Sequence, residues 1–73
     1  MMTNILKMNT MNKLKENVGK KIIMTKTFSN FRGSLVEGEK VTLISLNEQK
    51  GEADVNDPFG IKWTIPLEFV HIY

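Results

Sequence analysis

At 73 residues and 8.4 kDa the chain has room for one small domain, and a domain of this size buries only about 60% of the surface that its unfolded form exposes. The sequence has no cysteine, which excludes disulfides, thiolate metal sites and cysteine redox chemistry. Its 41% hydrophobic and 25% charged residues, two prolines and net charge of +2 exclude a disordered or fibrous chain.

No run approaches the roughly 20 apolar residues of a membrane span, and no apolar h-region follows the N-terminus. The expectation is a soluble, cytoplasmic protein. Residues 1–17 hold four of the five methionines and four of the seven asparagines, with no glycine or proline. Met11, Leu14 and Val18 recur at helical spacing, a stripe that Gly19 closes as a C-cap. Two turns are marginal without tertiary support, so residues 1–17 read as a basic tail or short helix ahead of a domain over 18–73. Met8 and Met11 also read as candidate alternative starts, an expectation under which the first ten residues would be dispensable. Such a segment reads as a frayed terminus or as a basic arm that docks a partner or a membrane surface.

From Gly19 the texture changes to short strands between turns. Lys20 to Phe28, KKIIMTKTF, predicts a first strand with Ile22, Met24 and Phe28 on one face and Thr25 and Thr27 on the other. The stretch SNFRGSLVEGE predicts a long irregular loop pinned to the core by Phe31 and Leu35. In KVTLISL, Val41 and Leu43 face one way and Ile44 and Leu46 the other, so this strand should be central. Asn47 to Gly51 forms a hairpin loop with glycine in the left-handed position. The returning strand GEADVND turns Ala53 and Val55 inward and its acids outward.

Asp57-Pro58-Phe59-Gly60 has the residues of a type I turn: Asp first, Pro presetting φ at the second position, Gly fourth. Ile61, Trp63 and Ile65 then alternate onto one face. Pro66 holds Ile65 extended and cannot donate to a ladder, so the strand should end or bend there. Leu67-Glu68-Phe69 is one turn of 3-10 helix, and Val70 to Tyr73 is a last short strand. Five short strands with regular turns predict an all-β barrel or sandwich, and closing the sheet on itself would hide its edges.

The order of these elements resembles the SH3-like barrel family. Ile65-Pro66-Leu67-Glu68-Phe69-Val70 is similar to the family's apolar-Pro-x-x-aromatic-Val signature. Gly38-Glu39-Lys40-Val41-Thr42-Leu43 is similar to the glycine-acid entry into its second strand. The layout covers residues 20–73; chromo, Tudor and KOW modules share related small barrels. The resemblance implies a five-stranded SH3-like barrel with a short 3-10 turn, and Pro66 and Phe69 match two members of the family's polyproline groove. The rest of that groove is missing: the first strand has no tyrosine, and Gly51-Glu52 stand where the tandem tryptophans belong. Ser29, Asn30 and Arg32 replace the acidic first-loop residues. Polyproline docking needs ring faces against a preformed helix, so PxxP recognition is not expected.

Single residues sharpen the expectation. Trp63, where many SH3 sequences have glycine, groups with Ile61 and Ile65 for burial, yet tryptophan is also a frequent interface anchor. Phe59 at a turn tip is a surface candidate, and Phe31 carries the same two readings. His71 has neither a second histidine nor a cysteine to complete a zinc site. Glu48, Glu52, Asp54 and Asp57 surround one hairpin, as the solvated face of a strand or a surface for a basic partner, and their spacing is not that of a calcium loop. No nucleophile accompanies a base, and no glycine loop cradles phosphate. The sequence points away from enzymatic activity, cofactors, metals and small-molecule substrates.

Charge is divided along the chain. Residues 1–36 carry seven basic groups and one acid, a net +6, and residues 37–73 carry three lysines and seven acids, a net −4. This marks either attraction between the halves, the simpler reading, or a basic arm for a polyanion. Nine lysines against one arginine count against specific phosphate recognition, which favours the guanidinium fork.

The expectation is a binding module for another protein, with Phe31, Phe59, Trp63, Pro66 and Phe69 as contacts and Glu52 and Asp54 as steering charges. The Lys-, Asn- and Ile-rich composition fits an AT-rich genome, and the module resembles small accessory proteins of bacteria and phages that modulate a larger host machine. The alternative is a KOW-like nucleic-acid binder, with Lys20, Lys21, Lys26 and Arg32 on phosphates and Phe28 or Phe31 stacked on bases. A homo-oligomer paired through the final strand is a third reading.

Overall fold

The β-branched run after Gly19 does form the first strand, β1 (Lys21–Met24), with Ile22 and Met24 buried. The computed structural model of the chain describes residues 12–72; Met8, Met11 and Tyr73 lie outside them, as do the expectations placed on the first ten residues. The strand is shorter than expected. Thr25 donates its N–H to the Phe69 carbonyl and Gly38 donates to the Met24 carbonyl, both at 2.8 Å, so contacts to both neighbouring strands run to the end of β1, and the chain leaves the sheet after them. Phe28 therefore reaches the core from a different strand, β2 (Phe28–Asn30).

The expected irregular loop contains a hairpin. β2 pairs with β3 (Gly33–Leu35), Phe28 opposite Leu35 and Asn30 opposite Gly33. The Ser29 and Ser34 hydroxyls lie 2.8 Å apart across the pair, and Asn30 Oδ1 accepts the Arg32 N–H at the tip. Leu35 pins this hairpin as expected, since it is fully buried. Phe31 does not: it occupies the two-residue tip, where a side chain points away from both strands, and is 97% exposed.

Three consecutive antiparallel strands follow: β4 (Lys40–Asn47), β5 (Glu52–Asn56) and β6 (Lys62–Pro66). β4 is central, in a sheet ordered β6-β5-β4-β1-β7, where β7 is Val70–Ile72. Its two apolar faces have a cause other than simple alternation. Leu43 pairs with Val55 and Ser45 with Asp54, so Ile44 is an extra residue, a β-bulge. The bulge resets the phase, packing Leu46 against the core opposite Ala53 and leaving Ile44 outside. Gly51 closes the β4–β5 hairpin at φ +66°, a conformation that costs other residues. Ala53 and Val55 face inward as expected. Ile61 does not join Trp63 and Ile65; it precedes β6 and stays exposed.

Pro66 ends β6, and Leu67–Phe69 is the expected 3-10 turn. Leu67 N–H donates to the Gly51 carbonyl at 2.9 Å, tying this turn to the β4–β5 loop. β6 and β7 remain the two ends of the sheet rather than pairing to close it.

The core contains Ile22, Met24, Leu35, Val41, Leu43, Val55, Trp63, Ile65 and Val70; each fully buried aliphatic side chain contributes about 1.5–3 kcal/mol. Leu14 belongs to it as well, at 3% exposure. Residues 12–16 form a helical turn that lays Leu14 on the sheet, whereas Val18 of the expected stripe is exposed. The part of the leader from residue 12 is thus packed onto the β unit. Lys15 forms an ion pair with Glu48, a contact between the basic and the acidic halves.

Candidate functional site

Trp63 organises the most distinctive part of the surface. Its strand phase turns the indole toward the core, 7% exposed, so the structure decides for burial against an exposed anchor. The Phe28 ring meets the indole edge-on with centroids 6.3 Å apart, and meets Phe69 in the same way at 5.9 Å. Phe28 is thus the middle of an aromatic row running from β6 through β2 to the 3-10 turn. Such edge-to-face pairs are worth about 0.5–1.5 kcal/mol beyond the area they bury.

Two cations cover the row. The Arg32 guanidinium lies 5.8 Å from the indole centroid, and Lys26 Nζ lies 5.6 Å from the Phe69 ring. The sole tryptophan therefore carries the sole arginine on its face.

Asp57 holds the other end of the indole. One carboxylate oxygen, Oδ1, accepts the N–H groups of Phe59 and Ile61 at 2.8 and 2.9 Å, and the other, Oδ2, accepts Trp63 Nε1–H at 3.1 Å. Gly60 N–H closes the turn onto the Asp57 carbonyl. Partial burial works against the Asp57 charge, but the donors on Ile61, Trp63 and Phe59 and the positive charge of Arg32 outweigh it, so its pKa is lowered.

Two loops thereby converge on one indole. The β2–β3 tip reaches it through Arg32, with Gly33 alongside; the 57–60 turn reaches it through Asp57. Each loop carries an exposed phenylalanine, Phe31 at 97% and Phe59 at 89%. Pro66 and Phe69 are half-buried toward the 3-10 turn, and Lys26 covers the Phe69 face.

The other expected contacts lie apart. Glu52 and Asp54 sit on the face of β5 away from Ala53 and Val55. Asp54 is engaged internally: it accepts the Thr64 hydroxyl at 2.6 Å and the Ser45 hydroxyl at 3.0 Å, with Lys62 Nζ at 3.7 Å. The Thr64 hydroxyl chiefly lowers its pKa, against partial desolvation and with help from Ser45 and Lys62. Asp54 is thus less a free steering charge than a brace between β4, β5 and β6. Lys20 and Lys21 are exposed at the start of β1, while Lys26 and Arg32 lie over aromatic rings. His71 is exposed on β7.

Among the described residues no group of three or more His, Cys, Asp or Glu could hold a metal, and no helix is long and apolar enough to cross a membrane. The expectations missed the central role of Phe28 and the bracket that Asp57 forms. The second left a signal: an Asp opening a turn, six residues before a tryptophan on the returning strand. No protein-family model, curated protein or solved structure matches the chain.

Proposed function

We propose that the chain is an SH3-like module without enzymatic activity that binds another protein through the loops meeting at Trp63. The order of a first strand, a hairpin excursion, three antiparallel strands, a 3-10 turn and a last strand beside the first supports the fold reading. The observation that carries the binding reading is the contrast in aromatic exposure. Phe31 and Phe59 stand in solvent on loops that their neighbours Arg32 and Asp57 brace against a buried tryptophan. A large ring on a braced loop leaves less of the backbone to order on binding, and an exposed one has nearly its whole area to bury. Phe31 and Phe59 are the anchors in this reading, and Trp63 is their support.

The test compares proteins captured from a lysate by the wild-type chain and by a Phe31→Ala/Phe59→Ala double variant of equal thermal midpoint. A partner retained by the first and lost by the second supports the module; capture that is the same for both contradicts it. The nucleic-acid alternative, through Lys20, Lys21, Lys26 and Arg32, has its own signature. Oligonucleotide affinity would fall linearly with salt on a log–log plot, with a slope reflecting several phosphate contacts.

A further inference from the structure

We infer that Arg32 is a receptor for a carboxylate, so that the segment recognised by the loops bearing Phe31 and Phe59 is apolar and acidic. The inference rests on the protein-binding reading above and adds the chemistry of the partner. A guanidinium has two kinds of surface. Its flat face stacks on an aromatic ring, and its edge presents N–H donors in the plane, matched to the two oxygens of a carboxylate. Here the guanidinium carbon lies over the Trp63 indole, 5.8 Å from its centroid. Its donors are uncommitted: among the described residues the Arg32 side chain takes part in no ion pair and no hydrogen bond, and only its backbone N–H donates, to Asn30 Oδ1.

Asp57 influences Arg32 electrostatically but is committed to three other N–H donors, so the guanidinium stays out of an internal bidentate pair. It is exposed over the indole, next in the chain to Phe31, and the turn that bears Phe59 is held to the same indole through Asp57. Charge complementarity selects the occupant: a carboxylate for the Arg32 edge and apolar side chains for the two rings.

A polyanionic backbone fits less well. It needs a row of free cations, and near this patch Lys62 is drawn to Asp54 while Lys26 lies over Phe69. The polarity is also opposite to that of a groove that recruits arginine-bearing polyproline ligands through acidic loop residues.

The experiment pans a randomised 12-residue peptide display library against the full chain and against its Arg32→Gln variant. Arg32→Lys serves as a second variant, keeping the charge without the planar fork. Thermal midpoints of all three establish folding. The expected result is enrichment of Asp or Glu next to apolar residues on the wild type. Arg32→Gln should lose the acid preference while keeping the apolar one, and a selected peptide should bind it about ten-fold more weakly, with Arg32→Lys in between. Acid enrichment that survives in Arg32→Gln, or wild-type enrichment of basic or PxxP peptides, overturns the carboxylate assignment. Apolar enrichment that depends on Phe31 and Phe59 but not on Arg32 overturns it while leaving the module reading intact. No enrichment on any chain contradicts both, as does tighter binding of a single-stranded oligonucleotide than of any selected peptide.

Discussion

Trp63 and Phe59 are four residues apart and serve opposite ends. The tryptophan lies on β6, where alternation turns every second side chain into the core. The phenylalanine lies at the tip of the turn before that strand, where no neighbouring element can reach its ring. The same contrast recurs in the hairpin formed by β2 and β3. Phe28 packs against both Trp63 and Phe69, while Phe31, three residues on, stands in water. Burial of an aromatic ring here depends on whether it sits in a strand or at a loop tip, not on local hydrophobicity. The inner set holds the loops in place, and the outer set is what the loops present.

Substitutions should separate the two sets by the size of their effect. Leu43→Ala or Ile65→Ala on the inner face should cost about 2–5 kcal/mol, a large share of the stability of so small a domain. Urea denaturation should show an early midpoint or no folded baseline. Trp63→Ala should cost about 3–5 kcal/mol and should also weaken any partner bound at Phe31 and Phe59, because both loops lose their common support. Retention of full stability in Trp63→Ala would break the distinction between the sets.

Asp57 gives a pH-dependent reading of the same contrast. Its pKa is lowered in the folded state, so its contribution is fully present above the unfolded value of about 4. It is lost as pH falls through the lower folded value. Asp57→Asn should flatten the acid side of the stability profile below about pH 4, while leaving the slope near neutrality unchanged. Urea midpoints across that range measure it, and an unchanged acid limb would contradict the bracket. At the small end, Phe31→Ala and Phe59→Ala should each leave stability within about 0.5 kcal/mol of wild type, as read by thermal denaturation.

Much of the strand layout was legible because its signals are local. Pro66 stopping β6, the 3-10 turn after it, Gly51 in the hairpin and the alternation of Ala53 with Val55 each follow from residue type at a fixed offset. The misread elements depend on contacts distant in sequence. β1 ends at Met24 and Phe28 belongs to a separate strand paired with residues 33–35, which nothing in KKIIMTKTF announces. The bulge at Ile44 is invisible to a strict two-residue period, which groups Leu46 with Ile44 on the face opposite Val41 and Leu43. Leu14 looked like part of a loose leader because its packing partners are strands far along the chain. For the candidate site, Phe59 was legible as a turn tip and Arg32 as a departure from an acidic loop. Their meeting at Trp63 is a property of the folded chain alone.

The location of the binding surface is tested most directly by amide chemical-shift mapping of the full chain with a library-selected peptide. The largest shifts should fall in residues 29–34 and 57–62 and at the Trp63 indole N–H. Shifts centred on Lys20 and Lys21, or along β7, with residues 29–34 and 57–62 unmoved, would contradict it.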